Sequence, residues 1–308
     1  MIRKTFLPIV LILCSVSALC QPRPEDPGAE KRKILRDKLE GELLRVNREL
    51  DGVLALAVKD LTSEETYFIN ADEVMPQASS IKIAVLANLY LQAQQGKLKL
   101  SDEYVVRKED LVPGSDIMLG LTPGVTRLTL RDLATMMVAV SDNSATNVLI
   151  GRVRMENVNA MLQNLGLHDT RLRRQMMDLK AASEGRENVS TAREMMTLLE
   201  TIYRGKLLNK EMTDDFMKML STHKESSMLQ GLPDDAVAAN KPGELEAVRN
   251  DSGIIFVKNR PYILCVMTAY LKDENDGRAA IRKITALTYS YFDRLGRASP
   301  YGRVVSPK

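Results

Sequence analysis

Ser79 and Lys82 stand three residues apart in the stretch MPQASSIKIAVLANLYLQA, residues 75–93. In a helix, residues three apart share a face and their side chains can meet. Ile83, Val85, Leu86 and Leu89 follow, which predicts a mostly apolar and largely buried helix. A lysine beside a serine at such a helix start is either a tethered surface charge or the partner of an activated nucleophile. A serine hydroxyl is a weak nucleophile that needs an adjacent base. Lysine can be that base only when burial and nearby positive charge bring its pKa toward neutrality. The spacing alone decides little, because Ser221 and Lys224 repeat it in a polar stretch where a surface charge is expected. The Ser79 pair has company. Ser141-Asp142-Asn143 falls at a break between two apolar helical segments, and Lys241-Pro242-Gly243 falls at a strand end.

The elements that must position these residues can be read from periodicity. Residues 30–50 carry Ile34, Leu35, Leu39, Leu43, Leu44, Val46 and Leu50 on one helical stripe. GVLALAVKDL and EETYFINA read as two strands joined by a polar turn. Residues 101 to about 230 read as helices and loops, one helix starting at the capping-box pattern Thr129-Leu130-Arg131-Asp132 and running to about Val140. Strands return with AVAANKPG, SGIIFVK and YILCVMTAYL, followed by a helix over about 277–295. This order predicts an α/β fold: one antiparallel five-stranded sheet flanked by the N- and C-terminal helices, plus an all-helical lobe. The α/β lobe takes residues 30–75 and 232–295, and the helical lobe residues 76–231. A polar tail over 296–308 is expected to be disordered. The methionine pairs at 136–137, 176–177 and 195–196 read as fillers of core gaps.

Residues 1–20 read as a secretory signal. Arg3 and Lys4 precede the apolar run from Phe6 to Leu19, which is short for a membrane span, and Ala18-Leu19-Cys20 resembles a cleavage site. Residues 21–29 form a proline-rich tether. Cleavage leaves Cys265 as the single cysteine, so no intramolecular disulfide is expected in the mature chain, and Cys265 reads as a small buried hydrophobe in a strand. Loss of Arg3 and Lys4 takes the formal charge from +3 to about +1. That near-neutral balance gives no nucleic-acid footprint. A secreted or periplasmic protein is expected, monomeric, with no stable membrane span after cleavage and no cofactor.

The three motifs, in this order, resemble the signature of class A β-lactamases and related penicillin-binding proteins. DLVPGSDIMLGLTPGVTRLTLRDLATMMVAVSDNSATNVLI, LGLHDTRLRR and ENVSTAREMMTLLETI extend the likeness over roughly residues 30–295. The resemblance implies an acyl-enzyme on Ser79, formed with Lys82 as base. Ser141 would relay a proton to the leaving nitrogen. Asn143 would hold the substrate amide and Lys82, while Lys241 would lend positive charge and hold a substrate carboxylate. The oxyanion hole would be the N–H groups of Ser79 and Glu244, just past Gly243. Asp142 is expected to be structural. A β-lactam or a cell-wall peptide is the implied small-molecule partner.

The family pattern is not kept throughout. Alignment on Thr170-Arg171-Leu172 places Met176 where the family has the omega-loop glutamate that activates the deacylating water, and Lys180 where an asparagine helps hold it. Asp178, Glu184 and Glu187 are the nearby candidates for a substitute base. Pro242 replaces a hydroxyl residue and removes a backbone donor. Gly114 stands where an aromatic wall is common, which predicts a wider cleft. Arg249 is either a carboxylate anchor or a surface arginine.

Three functions compete: a β-lactam-opening serine hydrolase, a penicillin-binding or D-alanyl peptidase-like protein that deacylates slowly, and a non-enzymatic binding module. The retained motifs argue against the last. With only His168 and His223, neither beside a G-x-S-x-G run, a multi-histidine zinc site and a Ser-His-Asp triad are both poorly supported, and no metal is expected. Asn188-Val189-Ser190 matches a glycosylation acceptor by chance.

Overall fold

The structure of the protein, a computed structural model, describes residues 26–304. The signal-like segment, Cys14, Cys20 and residues 305–308 lie outside the described residues. Helix α1 (Ala29–Glu49) leads into strands β1 (Val53–Asp60) and β2 (Thr66–Ile69). The chain then leaves the sheet and returns for β3 (Val237–Leu245), β4 (Val248–Phe256) and β5 (Tyr262–Ala269). The last long helix covers Glu274–Arg297. The five strands form one antiparallel sheet in the order β2-β1-β5-β4-β3, as the sequence pattern predicts.

Strand alternation sorts the core. Leu54, Leu56 and Val58 of β1 pack with Leu39, Leu43, Ile281, Ile284 and Phe292 of the terminal helices. Ala55 and Ala57, one position out of phase, belong to the cluster formed with the helical lobe. In β5, Tyr262, Leu264 and Val266 take the terminal-helix face, whereas Ile263, Cys265 and Met267 take the other. A period of two on a sheet covered on both sides produces this division. Burial pushes the Cys265 thiol pKa up to about 12, so it stays protonated as an apolar filler.

The helical lobe is built around α2 (Lys82–Gln94), in which Ile83 to Ala87, Leu89 and Tyr90 are inaccessible to solvent. Apolar residues all round this helix leave it no solvent face. Around it lie α3 (Leu130–Ala139), α4 (Asn143–Val153), α5 (Met155–Asn164), α6 (Leu179–Ser183), α7 (Ala192–Tyr203) and α8 (Lys210–Leu220). The capping box at Thr129 forms: its hydroxyl accepts from Asp132 N (3.1 Å), and Asp132 accepts from Thr129 N (2.8 Å). No helix among the described residues is long and apolar enough to cross a membrane.

Three expectations need correction. The helical lobe is not all helix, because Glu103–Val105 pairs with Arg127–Thr129 and Met75–Pro76 with Val189–Ser190, both antiparallel. Lys241-Pro242-Gly243 lies inside β3, not at its end. The ladder tolerates Pro242 because β3 is an outer strand, so the missing N–H takes no bond from the sheet. The tail expected to be disordered from 296 is ordered to Val304. The last helix runs to Arg297, and Ala298 then bridges Val304 across a turn closed by Ser299 N to Arg303 O, 2.9 Å.

Candidate active site

A cleft lies where the free edge of β3 meets the helical lobe, lined by Ser79, Ser141, Asn143, Lys224, Lys241 and Glu244 among others. Ser79 sits on a 3-10 turn, Ala78–Ile81, immediately before α2. Ala78 takes φ +49°, a left-handed conformation costly for a residue with a Cβ. Strand β3 lies directly against this turn. A Cβ on Gly243 would come within 2.7 Å of Gln77 O and 2.8 Å of Ser80 N, so only glycine allows the approach. Ser80 Oγ fastens the turn by donating to Lys241 O at 3.1 Å.

Lys82 is 1% exposed and points into the lobe. Its Nζ donates to Ser141 O (2.6 Å), Ser141 Oγ (2.9 Å) and Asn143 Oδ1 (3.0 Å). Burial, helped by the Lys241 charge and opposed by Asp142, holds its pKa well below the ordinary lysine range. Lys241 reaches Ser141 from the other side: its Nζ donates to Ser141 Oγ (3.1 Å) and Pro242 O (3.0 Å). Burial lowers the Lys241 pKa to about 7, against the pull of Asp251. Ser141 Oγ therefore bridges two lysines, from a backbone at φ +58°. Among the described residues, the Ser79 hydroxyl has no hydrogen-bond partner. The lysine donors are turned to Ser141 and Asn143, a looseness common in free enzymes.

Asp142 takes the structural place expected of it. It is fully buried, caps α4 by accepting from Ala145 N (2.9 Å), and holds the 117–118 backbone by accepting from Met118 N (2.9 Å). Asn143 donates from Nδ2 to Pro113 O and from its backbone to Gly114 O, both 3.3 Å. Gly114, at φ +66°, makes room for the Asn143 side chain. A Cβ there would lie 2.6 Å from Asn143 Nδ2. Along β3, alternation turns the main-chain groups of Pro242 and Glu244 the same way, and both residues line the cleft.

The three substitute bases go elsewhere. Asp178 caps α6 through Ala181 N (2.9 Å), Glu184 pairs with the exposed Arg186, and Glu187 pairs with Arg174 (2.9 Å). None of them lines the cleft. Met176 is 7% exposed and packs in the core, while its backbone exchanges two hydrogen bonds with the Asn147 amide (2.8 and 3.0 Å). Lys180 is exposed. Arg249 is neither a surface arginine nor at the cleft. It is buried and spends its guanidinium on Leu245 O, Val248 O and Glu274. Asn188 is 2% exposed and accepts from Arg173 N and Arg174 N, which leaves no room for a glycan.

Sequence reasoning missed one feature. Lys224, read as a surface charge, is 5% exposed and lines the cleft, its Nζ donating to Leu220 O (2.9 Å) and Thr222 O. The available signal was its place four residues past the end of α8, where a cation satisfies orphan helix carbonyls. His223 lines the cleft, whereas His168 pairs with Gln163 on the surface.

Fold and cleft together have the architecture of a serine hydrolase. The chain belongs to the β-lactamase enzyme family, whose model matches residues 38–292. It is similar to β-lactamase SME-1 of Serratia marcescens, with 25% identity over 82% of this chain and 88% of that protein. The β-lactamase of Bacillus licheniformis is also 25% identical, over 88% of each chain. An ancestral class A β-lactamase structure superposes with a TM-score of 0.77 at 26% identity, over 82% of this chain and all of the other.

Proposed function

We propose that the protein opens β-lactam rings through an acyl intermediate on Ser79. The observation that carries this reading is the Lys82–Ser141–Lys241 hydrogen-bonded chain beside Ser79, in which burial lowers the Lys82 pKa. Neutral Lys82 accepts the hydroxyl proton of Ser79 as Oγ bonds the carbonyl carbon. The N–H groups of Ser79 and Glu244 stabilise the oxyanion. As the C–N bond breaks, the nitrogen takes a proton from Ser141 Oγ, which recovers one from the lysines. Asn143 positions the amide. Water then cleaves the ester, releasing Ser79 and the ring-opened acid. The signal-like residues 1–20 support export to the periplasm or medium, with the mature chain acting as a monomer.

The core position of Met176 favours a second reading, in which deacylation is slow and the protein behaves like a penicillin-binding protein toward D-alanyl cell-wall peptides. One experiment tests both. The mature protein is mixed with benzylpenicillin and its intact mass followed, with Ser79→Ala as control. A Ser79-dependent adduct that clears as the drug is consumed supports the lactamase reading. A persistent adduct supports the slow-deacylation reading. Absence of an adduct overturns β-lactam as the acyl donor.

A further inference from the structure

The end of the molecule where α1 begins carries an exposed surface that the cleft does not use. Lys31, Ile34 and Lys38 recur at helical spacing on α1 and share one face, with Ile34 48% exposed. The turn after the last helix packs against the start of that face. Pro300 O leaves no room for a Cβ on Gly28, and a Cβ on Gly302 would lie 3.8 Å from Lys31 Cδ. Tyr301, 72% exposed, and Val304, 49% exposed, project from this turn, and Arg303 between them is exposed as well. Further along α1, Lys38 shares a groove of about 300 Å³ with Lys283 and Arg294 of the last helix, over a floor that includes Leu35, Leu39 and Leu287.

The charge on this surface is one-sided. Its neighbouring carboxylates are taken by other cations: Asp26 by Arg32, Asp37 by Lys33, Glu42 by Arg45 and Asp293 by Arg297. Lys31, Lys38, Lys283, Arg294 and Arg303 have no ion-pair partner among the described residues, and Glu30 is the unpaired charge of opposite sign beside them. The mature chain as a whole is near neutral, so the imbalance is local. Cations interleaved with exposed tyrosine and aliphatic side chains suit the surface of an anionic membrane. The cations meet lipid phosphates, while the apolar groups and the amphipathic tyrosine ring enter the headgroup region. Connectivity points the same way. Residues 20–25 join the apolar run Phe6–Leu19 to Asp26, a span of at most about 25 Å when fully extended. While that run engages a bilayer, this end of the fold is the one held beside it.

We propose that the face built from α1, the last helix and the turn after it docks on an anionic phospholipid bilayer, with Ile34, Tyr301 and Val304 entering the interface and the five unpaired cations meeting the headgroups. The terminal helices that carry this face cover one side of the sheet, and the helical lobe that forms the cleft covers the other, so docking leaves the cleft open to substrate. The docking does not depend on which acyl donor the cleft receives.

The test is co-sedimentation of the mature protein with vesicles of equimolar phosphatidylcholine and phosphatidylglycerol, compared with vesicles of phosphatidylcholine alone. Binding is expected to the mixed vesicles and not to the neutral ones at about 0.1 M salt. Release is expected at about 1 M, where the screening length has fallen from about 10 to 3 Å. Lys31→Gln combined with Lys38→Gln is expected to lower the partition coefficient about 25-fold, from about fivefold for each cation near an anionic surface. Tyr301→Ser is expected to weaken binding by removing an interfacial anchor. Lys97→Gln makes the same charge change on the helical lobe and is expected to stay within about twofold of wild type. All these side chains are exposed, so the substitutions leave core packing alone. Equal binding to both kinds of vesicle, no binding to the mixed vesicles at low salt, or an equal loss with Lys97→Gln overturns the docking face.

Discussion

The wall built from Ser79, Ser141 and β3 and the loop between Thr170 and Ser190 belong to one molecule but obey different rules. The wall buries Lys82, Asp142, Lys241 and Asp251, and each is paired. Such burial is tolerated only where hydrogen bonds and opposite charge compensate it. The loop buries Met176, and its carboxylates face outward or into ion pairs, Glu184 with the exposed Arg186 and Glu187 with the buried Arg174. Left-handed backbone at a residue with a Cβ occurs in both, at Ala78 and Ser141 on the wall and at Met177 in the loop. The loop uses side-chain amides, Asn147 and Asn188, to hold its own backbone. On the proposed reading, the comparison separates making an acyl-enzyme from clearing it: the residues for the first are gathered at the wall, whereas the family's position for the second is filled by packing.

The comparison can be broken most directly at Lys82. Lys82→Ala is expected to slow acylation of Ser79 by benzylpenicillin by about 10³-fold, within the usual span for loss of a general base. A rate within tenfold of wild type, read by intact mass, would remove Lys82 from the chemistry. Met176→Glu tests the loop. Its side chain enters the core, so the variant is expected to lose about 1–3 kcal/mol of stability in urea unfolding, without clearing the adduct faster. Faster clearing at unchanged stability would show that the loop retains the catalytic geometry.

Stability against pH sharpens the contrast further. Burial lowers the pKa of folded Lys241 to about 7, against the ordinary value of 10.5 that the unfolded chain keeps. Between these values the unfolded state binds more protons, so stability rises with pH. Urea midpoints are expected to climb from pH 7.5 to 9.5, and Lys241→Met to flatten that rise. An equally steep rise in the variant would place the effect elsewhere. The smallest expected effect is at Glu187. Glu187→Gln weakens a partly buried ion pair with Arg174 and should leave acylation and clearing within about twofold of wild type. Tenfold slower clearing would restore it as a base.

Much of this was legible in the sequence because it is written in periodicity. The alternation in VLALAV and YILCVMTA predicts strands, the apolar run after Lys82 predicts a buried helix, and Thr129 with Asp132 predicts a helix start. Ser79, Lys82, Ser141, Asn143 and Lys241 were singled out by motif, and all but Lys82 line one cleft, with Lys82 bonded just behind. What escaped depends on the path of a loop. Nothing local to THKESS distinguishes a solvated lysine from one folded back over a helix end. Met176 was read as a core filler and packs there, but nothing in the sequence told that Asp178, two residues on, would become a helix cap. Arg249 was misread because its partner Glu274 lies on another element, 25 residues away.

Pro242 has a consequence outside the reaction. Beside the cleft, at Pro242 and Glu244, the outer side of β3 is an open ladder edge onto which a strand from another molecule could add. Adding one would need N–H donors at alternating positions along that side, and Pro242 removes one of them in the middle. The edge that opens the cleft to small acyl donors is thereby blunted against strand addition. The strand can stay uncovered for substrate without becoming a template for self-association.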